Sequence, residues 1–228
     1  MKLLAFETAT EACSIAVYVD GEIRERHEVA PRQHTALALP WADALMAEAG
    51  IGKSQLDAIA VGIGPGAFTG VRLAVALAQG IALALDKPVI AISTLATLAM
   101  RANASQGERV LAAIDARMGE IYLGEFVGDA EGLVHAVVDE TIVAPGDVGR
   151  LSSPAVGVGT GFAAAAGVLT RMLGGSLARF DADALPHAAD LARLAARDFR
   201  QGRAIAPERL EPAYLRNKVA LTLAEQGK

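Results

Sequence analysis

The sequence predicts an α/β protein of two similar lobes, each a mixed β-sheet with flanking helices, facing each other across a cleft. Three observations predict it. Strand and helix patterns follow one another as β-β-β-α-β-α-β-α over the first hundred residues. A strand pair whose first strand ends in an acid occurs twice, in "KLLAFE" ending at Glu7 and in "VLAAID" ending at Asp115. The stretch "AVGIGPG" from Ala60 is echoed 95 residues later by "AVGVGTG" from Ala155, identical at five of seven positions. A hairpin, a glycine loop and a helix in the same order in both halves is the signature of an internal duplication.

In chain order, residues 2–7 and 13–19 read as strands, and an Asp20-Gly21 turn introduces a third, "EIRERHEV". A helix follows from about Thr35 to Glu48, with Leu37, Trp41, Leu45 and Ala49 on one stripe, Gly50 as its stop and Pro40 in its first turns. "LDAIAVG" is a short apolar strand, residues 69–85 a helix and "PVIAIS" another strand, after which Ser93 or Thr94 caps a helix to about Ala104. The polar stretch "ANASQGER" then divides the chain into a first lobe, residues 1–104, and a second, residues 105–216. Residues 217–228 form a polar C-terminal tail.

Composition bounds the function. Apolar residues make up 53% of 228, enough for a filled core, while aromatics are only 4%, so that core is mostly Ala, Val, Leu and Ile. The formal charge is −5 and no run of five Lys or Arg occurs. A chain that grips RNA by itself is normally basic, because phosphate neutralisation supplies most of that affinity. Cys13 is the sole cysteine, which excludes an intrachain disulfide and fits a reducing compartment. An acid arrives too early in "MKLLAFETATE" for a signal-peptide core, and the apolar stretch 71–85 carries Arg72 and Gln79, so a soluble cytoplasmic protein is expected.

The loop "GIGPGAFTG", residues 62–70, is the strongest local motif. It lacks the lysine of a Walker loop. Gly62, Gly64 and Ala67 fit the dinucleotide pattern G-x-G-x-x-A, but the next strand ends in Ser93 and Thr94 instead of a ribose-binding acid, and Pro65 removes a backbone donor. A nicotinamide oxidoreductase is therefore disfavoured. Two readings stay open at this point: a helix N-terminus that favours an anion, or glycines at 64, 66 and 70 that serve tight turns and close packing.

Other candidates are weak. Asp115 and Glu120 flank the turn "DARMGE" and read as hairpin residues before they read as an acid/base pair, with Arg117 at the tip free to meet a partner. His34 precedes a helix and fits a cap or surface position. Cys13 fits a buried strand residue, and no G-x-S-x-G elbow is present.

Taken together, "FETATEACSIAVYVDG", "PRQHTALALP", "GIGPGAFTGVRLAVALAQGIA", "AAIDARMGEIY", "AVGVGTGF" and "EPAYLRNKVA" resemble the TsaB (YeaZ) family, in order from residue 3 to about 220. The resemblance implies an actin-like ATPase superfamily fold with two RNase-H-like lobes. It implies a non-catalytic scaffold and activator in making threonylcarbamoyladenosine, the modified adenosine next to the anticodon of tRNAs that read codons beginning with adenine. The chemistry is then expected from TsaD, the larger metal-dependent paralogue, with the small ATPase TsaE as a further partner and tRNA bound only by the assembly. No cofactor is expected for this chain, and ATP or ADP binding only within the complex. The paralogue's metal is held by two His four apart on a helix. The histidines here, His27, His34, His135 and His187, include no such pair.

One departure stands out. The family's first hairpin usually carries Asp, whereas Glu7 stands here, and the extra carbon moves its oxygens by about one C–C bond of 1.5 Å. Glu7, Gly64, Gly66, Asp115, Gly159 and Gly161 are therefore expected as a vestigial nucleotide site. An actin-like ATP-dependent phosphotransferase using Glu7 and Asp115 is the alternative.

The helix over 69–85 is apolar on nearly every side, which calls for a second cover beyond its own sheet. Its small stripe Val71, Ala74, Val75, Ala78 and Ala82 would admit another helix closely. With Leu37, Trp41 and Leu45 it would supply half of a four-helix bundle. In the family these two helices meet TsaD, or a second copy in a homodimer.

Overall fold

The computed structural model describes residues 1–216, so the proposed tail at 217–228 lies outside the described residues. The first half runs β1 (Lys2–Glu7), β2 (Ala12–Val19), β3 (Glu22–Val29), α1 (His34–Glu48), β4 (Ala58–Gly62), α2 (Phe68–Leu85), β5 (Val89–Ile92) and α3 (Thr94–Ala99). This is the order read from the sequence. The second half runs β6 (Arg109–Arg117), β7 (Glu120–Gly128), β8 (Val134–Ala136), β9 (Thr141–Val143), β10 (Ala155–Val158), α4 (Ala164–Leu173), β11 (Leu177–Asp181) and α5 (Ala188–Arg200).

The duplication holds in three dimensions. The first sheet has the order β3-β2-β1-β4-β5 and the second β8-β7-β6-β10-β11, with β4 parallel to β1 and β10 parallel to β6. β4 and β10 are thus equivalent strands, and each carries one copy of the glycine echo. Gly64 and Gly159 follow these strands at φ +96° and +107°, a region that L side chains rarely enter.

The second copy departs from the first in two ways. Its third strand is broken into β8 and β9, which both pair with β7. No α-helix stands between that strand and β10, only a short turn at Pro145–Asp147.

Period-2 alternation gives the first sheet two apolar faces. Leu4 and Phe6 of β1, with Ile15 and Val17 of β2, face α1 and α2. Leu3, Ala5 and Ala16 face the opposite way, into a core shared with α3, α5 and the second sheet.

Packing order differs from chain order. α3, from the first half, packs on β6, β7 and β8, whereas α5, from the second half, packs across β1–β5. The chain then stays with the first lobe: Ile205 and Val89 exchange two backbone hydrogen bonds of 2.9 Å, Leu210 is buried in the outer core, and the Ala213 N–H donates to Ile63 O at 2.8 Å. The segment 105–216 is thus split in packing between the two sheets. Each half lends the other a helix because each sheet has an apolar face that its own helices leave uncovered.

α1 and α2 both differ in detail from expectation. Pro40 is the seventh residue of α1, past the first-turn N–H groups that have no helical partner, so its ring does remove a bond from the helix interior. α2 begins at Phe68 and is, at 18 residues, long and apolar enough to cross a bilayer by length and composition. Here one of its faces packs on β4, β1 and β5.

Candidate functional site

A cleft of about 1560 Å³ opens between the lobes. One wall is the β1–β2 turn with Ala9, Thr10 and Glu11, together with the start of α2 from Gly66 to Leu73. The facing wall is the β6–β7 hairpin, Ile114 to Arg117, and the second glycine loop at Thr160. Ala213 to Arg216 close one side.

The sequence expected six residues to form a nucleotide site, and the structure divides them. Gly66 and Asp115 line the cleft, whereas Glu7, Gly64, Gly159 and Gly161 do not. Glu7 is fully buried beneath the glycine loop. Its Oε1 accepts from the Ala9 N–H at 2.9 Å and its Oε2 from Thr94 Oγ1 at 3.1 Å, and a Cβ on Gly62 would collide with the carboxyl group. Burial raises its pKa to about 7, against these hydrogen bonds, which lower it. The additional methylene relative to Asp is accommodated by reaching over bare Gly62.

The glycines of "GIGPGAFTG" serve close packing in the structure. The Ala67 N–H donates to Ala9 O at 2.7 Å, and the Gly64 N–H to Thr94 Oγ1 at 3.2 Å. Thr8 Oγ1 donates to Gly70 O at 2.7 Å. A Cβ at Gly66 would collide with Ala9 O, and one at Gly70 with Thr8 O. The glycines therefore let the β1–β2 turn sit directly on the N-terminus of α2. Two of the loop's N–H groups, those of Gly64 and Ala67, are thus occupied by the protein's own oxygens. In the second lobe, a Cβ at Gly161 would meet Ala113 at 2.6 Å, so that loop too is packed against its hairpin.

Asp115 is held within its own hairpin: its Oδ1 accepts from the Arg117 N–H at 2.8 Å and its Oδ2 pairs with the Arg117 guanidinium at 3.0 Å. Glu120 pairs instead with Arg216 at 2.8 Å. This is the hairpin role read from the sequence. His34 is placed at the start of α1 with Nε2 at 3.1 Å and 3.2 Å from the carbonyls of Thr10 and Ala12, so it braces the β1–β2 turn. Cys13 is buried, which pushes its thiol up to about 11. Among the described residues no three His, Cys, Asp or Glu side chains converge to hold a metal.

The expected partner stripe is corrected by the structure. Val71, Ala74, Val75, Ala78 and Ala82 are the buried face of α2, packed on the chain's own sheet, and Leu45 is buried in the same cluster. Leu37 and Trp41 are half-buried on the flank of α1. An all-apolar helix offers no periodic contrast, so the sequence could not tell its two sides apart. The open side of α2 is the other one: Thr69, Ala76, Gly80, Leu83 and Ala84 are exposed, with Leu73 and Leu77 half-exposed beside them. This ridge carries no charge over four turns except at Arg72.

The family pattern for TsaD, described as tRNA N6-adenosine threonylcarbamoyltransferase, matches residues 26–222. TsaB of Escherichia coli (strain K12), a tRNA threonylcarbamoyladenosine biosynthesis protein, is 41% identical over 96% of this chain and 96% of its own. The chain belongs to the TsaB family. Another TsaB, from Haemophilus influenzae, is 39% identical over 96% of this chain and 95% of its own. The solved structure of YeaZ from Pseudomonas aeruginosa superimposes with a TM-score of 0.86 at 42% identity, covering 94% of this chain and 99% of that one. The fold is therefore the actin-like one that the resemblance to this family implied, with the two lobes that the duplicated motifs predicted.

Proposed function

We propose that this chain is the non-catalytic scaffold and activator subunit of the assembly that transfers threonylcarbamoyl from threonylcarbamoyl-AMP to N6 of the adenosine next to the anticodon, in tRNAs reading codons that begin with adenine. A TsaD-like paralogue carries the chemistry, and a TsaE-like ATPase joins them in the cytoplasm. The observation that carries the reading is the inward Glu7. The carboxyl group that would face a metal and phosphate in an active lobe is hydrogen-bonded to Ala9 and Thr94 and sealed from the cleft. The chain needs no cofactor of its own on this reading, and ATP or ADP belongs to the assembly.

On this reading the chain acts instead through a docking surface. The uncharged ridge of α2, with Leu39 exposed and Leu37 and Trp41 half-exposed on α1, is the apolar ground on which two helices of a paralogue, or of a second copy, would complete a four-helix arrangement. The test is reconstitution with acceptor tRNA and the adenylate donor. Modification is expected from the TsaD-like paralogue together with this chain and not from this chain alone. Modification by the isolated chain would overturn the reading.

A further inference from the structure

The walls of the interlobe cleft differ in charge from the rest of the molecule. The chain has a formal charge of −5, yet the cleft is lined by Arg32, Arg72, Arg117 and Arg216 against only Glu11 and Asp115. Arg117 and Arg216 are paired, with Asp115 and Glu120. Among the described residues Arg32 and Arg72 make no ion pair, and Nη1 of Arg72 has no acceptor. The guanidinium of Arg72 lies 3.3 Å over the Phe68 ring and 5.0 Å from the Tyr214 ring. Both rings are largely exposed, at 63% and 56%, and line the same cleft.

Guanidinium groups interleaved with open aromatic faces are the chemistry that holds single-stranded nucleic acid: charge for the phosphodiester, ring faces for the bases. On the floor beneath, the Ala67 and Gly64 N–H groups are already taken by Ala9 O and Thr94 Oγ1. An RNA loop needs only the rim. We propose that the rim of the cleft, formed by Arg32, Arg72 and Arg117 with Phe68 and Tyr214, contacts an unpaired loop of the RNA substrate while the paralogue holds the rest. This assignment rests on the scaffold reading, since the chain's overall negative charge leaves RNA affinity to the assembly.

The experiment uses the complex of this chain with its TsaD-like paralogue and a fluorescently labelled anticodon stem-loop RNA, titrated at several salt concentrations. For Arg32→Glu/Arg117→Glu the salt slope is expected to fall by about 2 and the affinity by about tenfold or more, with the complex still co-purifying. Phe68→Ala/Tyr214→Ala is expected to weaken binding at least roughly fivefold with the slope unchanged. Unchanged affinity and slope in an intact complex would overturn the proposal. So would loss of the complex itself in the arginine variant, which would make the rim a protein interface, or displacement of the RNA by ATP or ADP alone. Modification of tRNA by the wild-type complex is measured in parallel and tests the scaffold reading separately.

Discussion

Glu7 Oε2 accepts a hydrogen bond from Thr94 Oγ1 at 3.1 Å inside the first lobe, and Thr94 Oγ1 in turn accepts from the Gly64 N–H at 3.2 Å. One buried carboxyl group thus fixes the end of β1 to the start of α3 and to the glycine loop. Desolvation raises its pKa to about 7, from 4.5 for the ordinary group. A carboxyl raised on folding stabilises the protein fully below its unfolded value, and that contribution is lost as pH climbs through its folded value. The Glu7 contribution is therefore expected to fall away between about pH 4.5 and 7, by on the order of 3 kcal/mol. Glu7→Gln keeps the shape without the charge. Its Tm is expected to exceed that of the wild type at pH 8 and to match it near pH 5, as followed by thermal unfolding against pH.

Glu25 has the opposite sign. Burial opposes its charge, but hydrogen bonds from His187, the Ala189 N–H and Ser14 outweigh that and bring it down to about 2. Ser14 Oγ also accepts from the Ala188 N–H at 2.8 Å, so β2 and β3 together cap the N-terminus of α5. Stability from this carboxylate is complete above about pH 4.5 and lost as pH falls toward 2. Glu25→Gln is expected to cost about 1–3 kcal/mol at neutral pH and to flatten the acid limb of the stability curve, measured by urea unfolding.

Two glycines near one another in sequence are expected to respond in opposite directions. Gly66→Ala drives a methyl group into the Ala9 carbonyl, where only backbone movement relieves it, and is expected to destabilise by about 2 kcal/mol or more. Gly80 lies on the exposed side of α2 with nothing within 4 Å of a new Cβ, so Gly80→Ala is expected to stabilise the isolated chain by about 0.5–1 kcal/mol. Urea midpoints of the two variants check both signs.

How much of this was legible follows from the range of each interaction. β1, β2 and β3 show themselves by alternation, and the equivalence of β4 and β10 by five shared residues, because these are local patterns. The open side of α2 was hidden, since Val75 and Ala76 are both apolar and only the sheet beneath separates them. The exchange of α3 and α5 between sheets was hidden too: the residues that cap α5, Ser14 and Glu25, lie more than 160 positions away. The arginine rim escaped notice because its members come from four separate segments, none of which is a basic run.

The docking claim separates neighbours in the sequence. Val75→Glu buries a charge against β4 and would test folding alone. Ala76→Glu places the same charge on the open ridge. The most direct measurement is co-purification of the TsaD-like paralogue with wild type and Ala76→Glu, each first shown to unfold at the same temperature. The account predicts a complex with wild type and its loss with Ala76→Glu. A paralogue bound equally by both would contradict it.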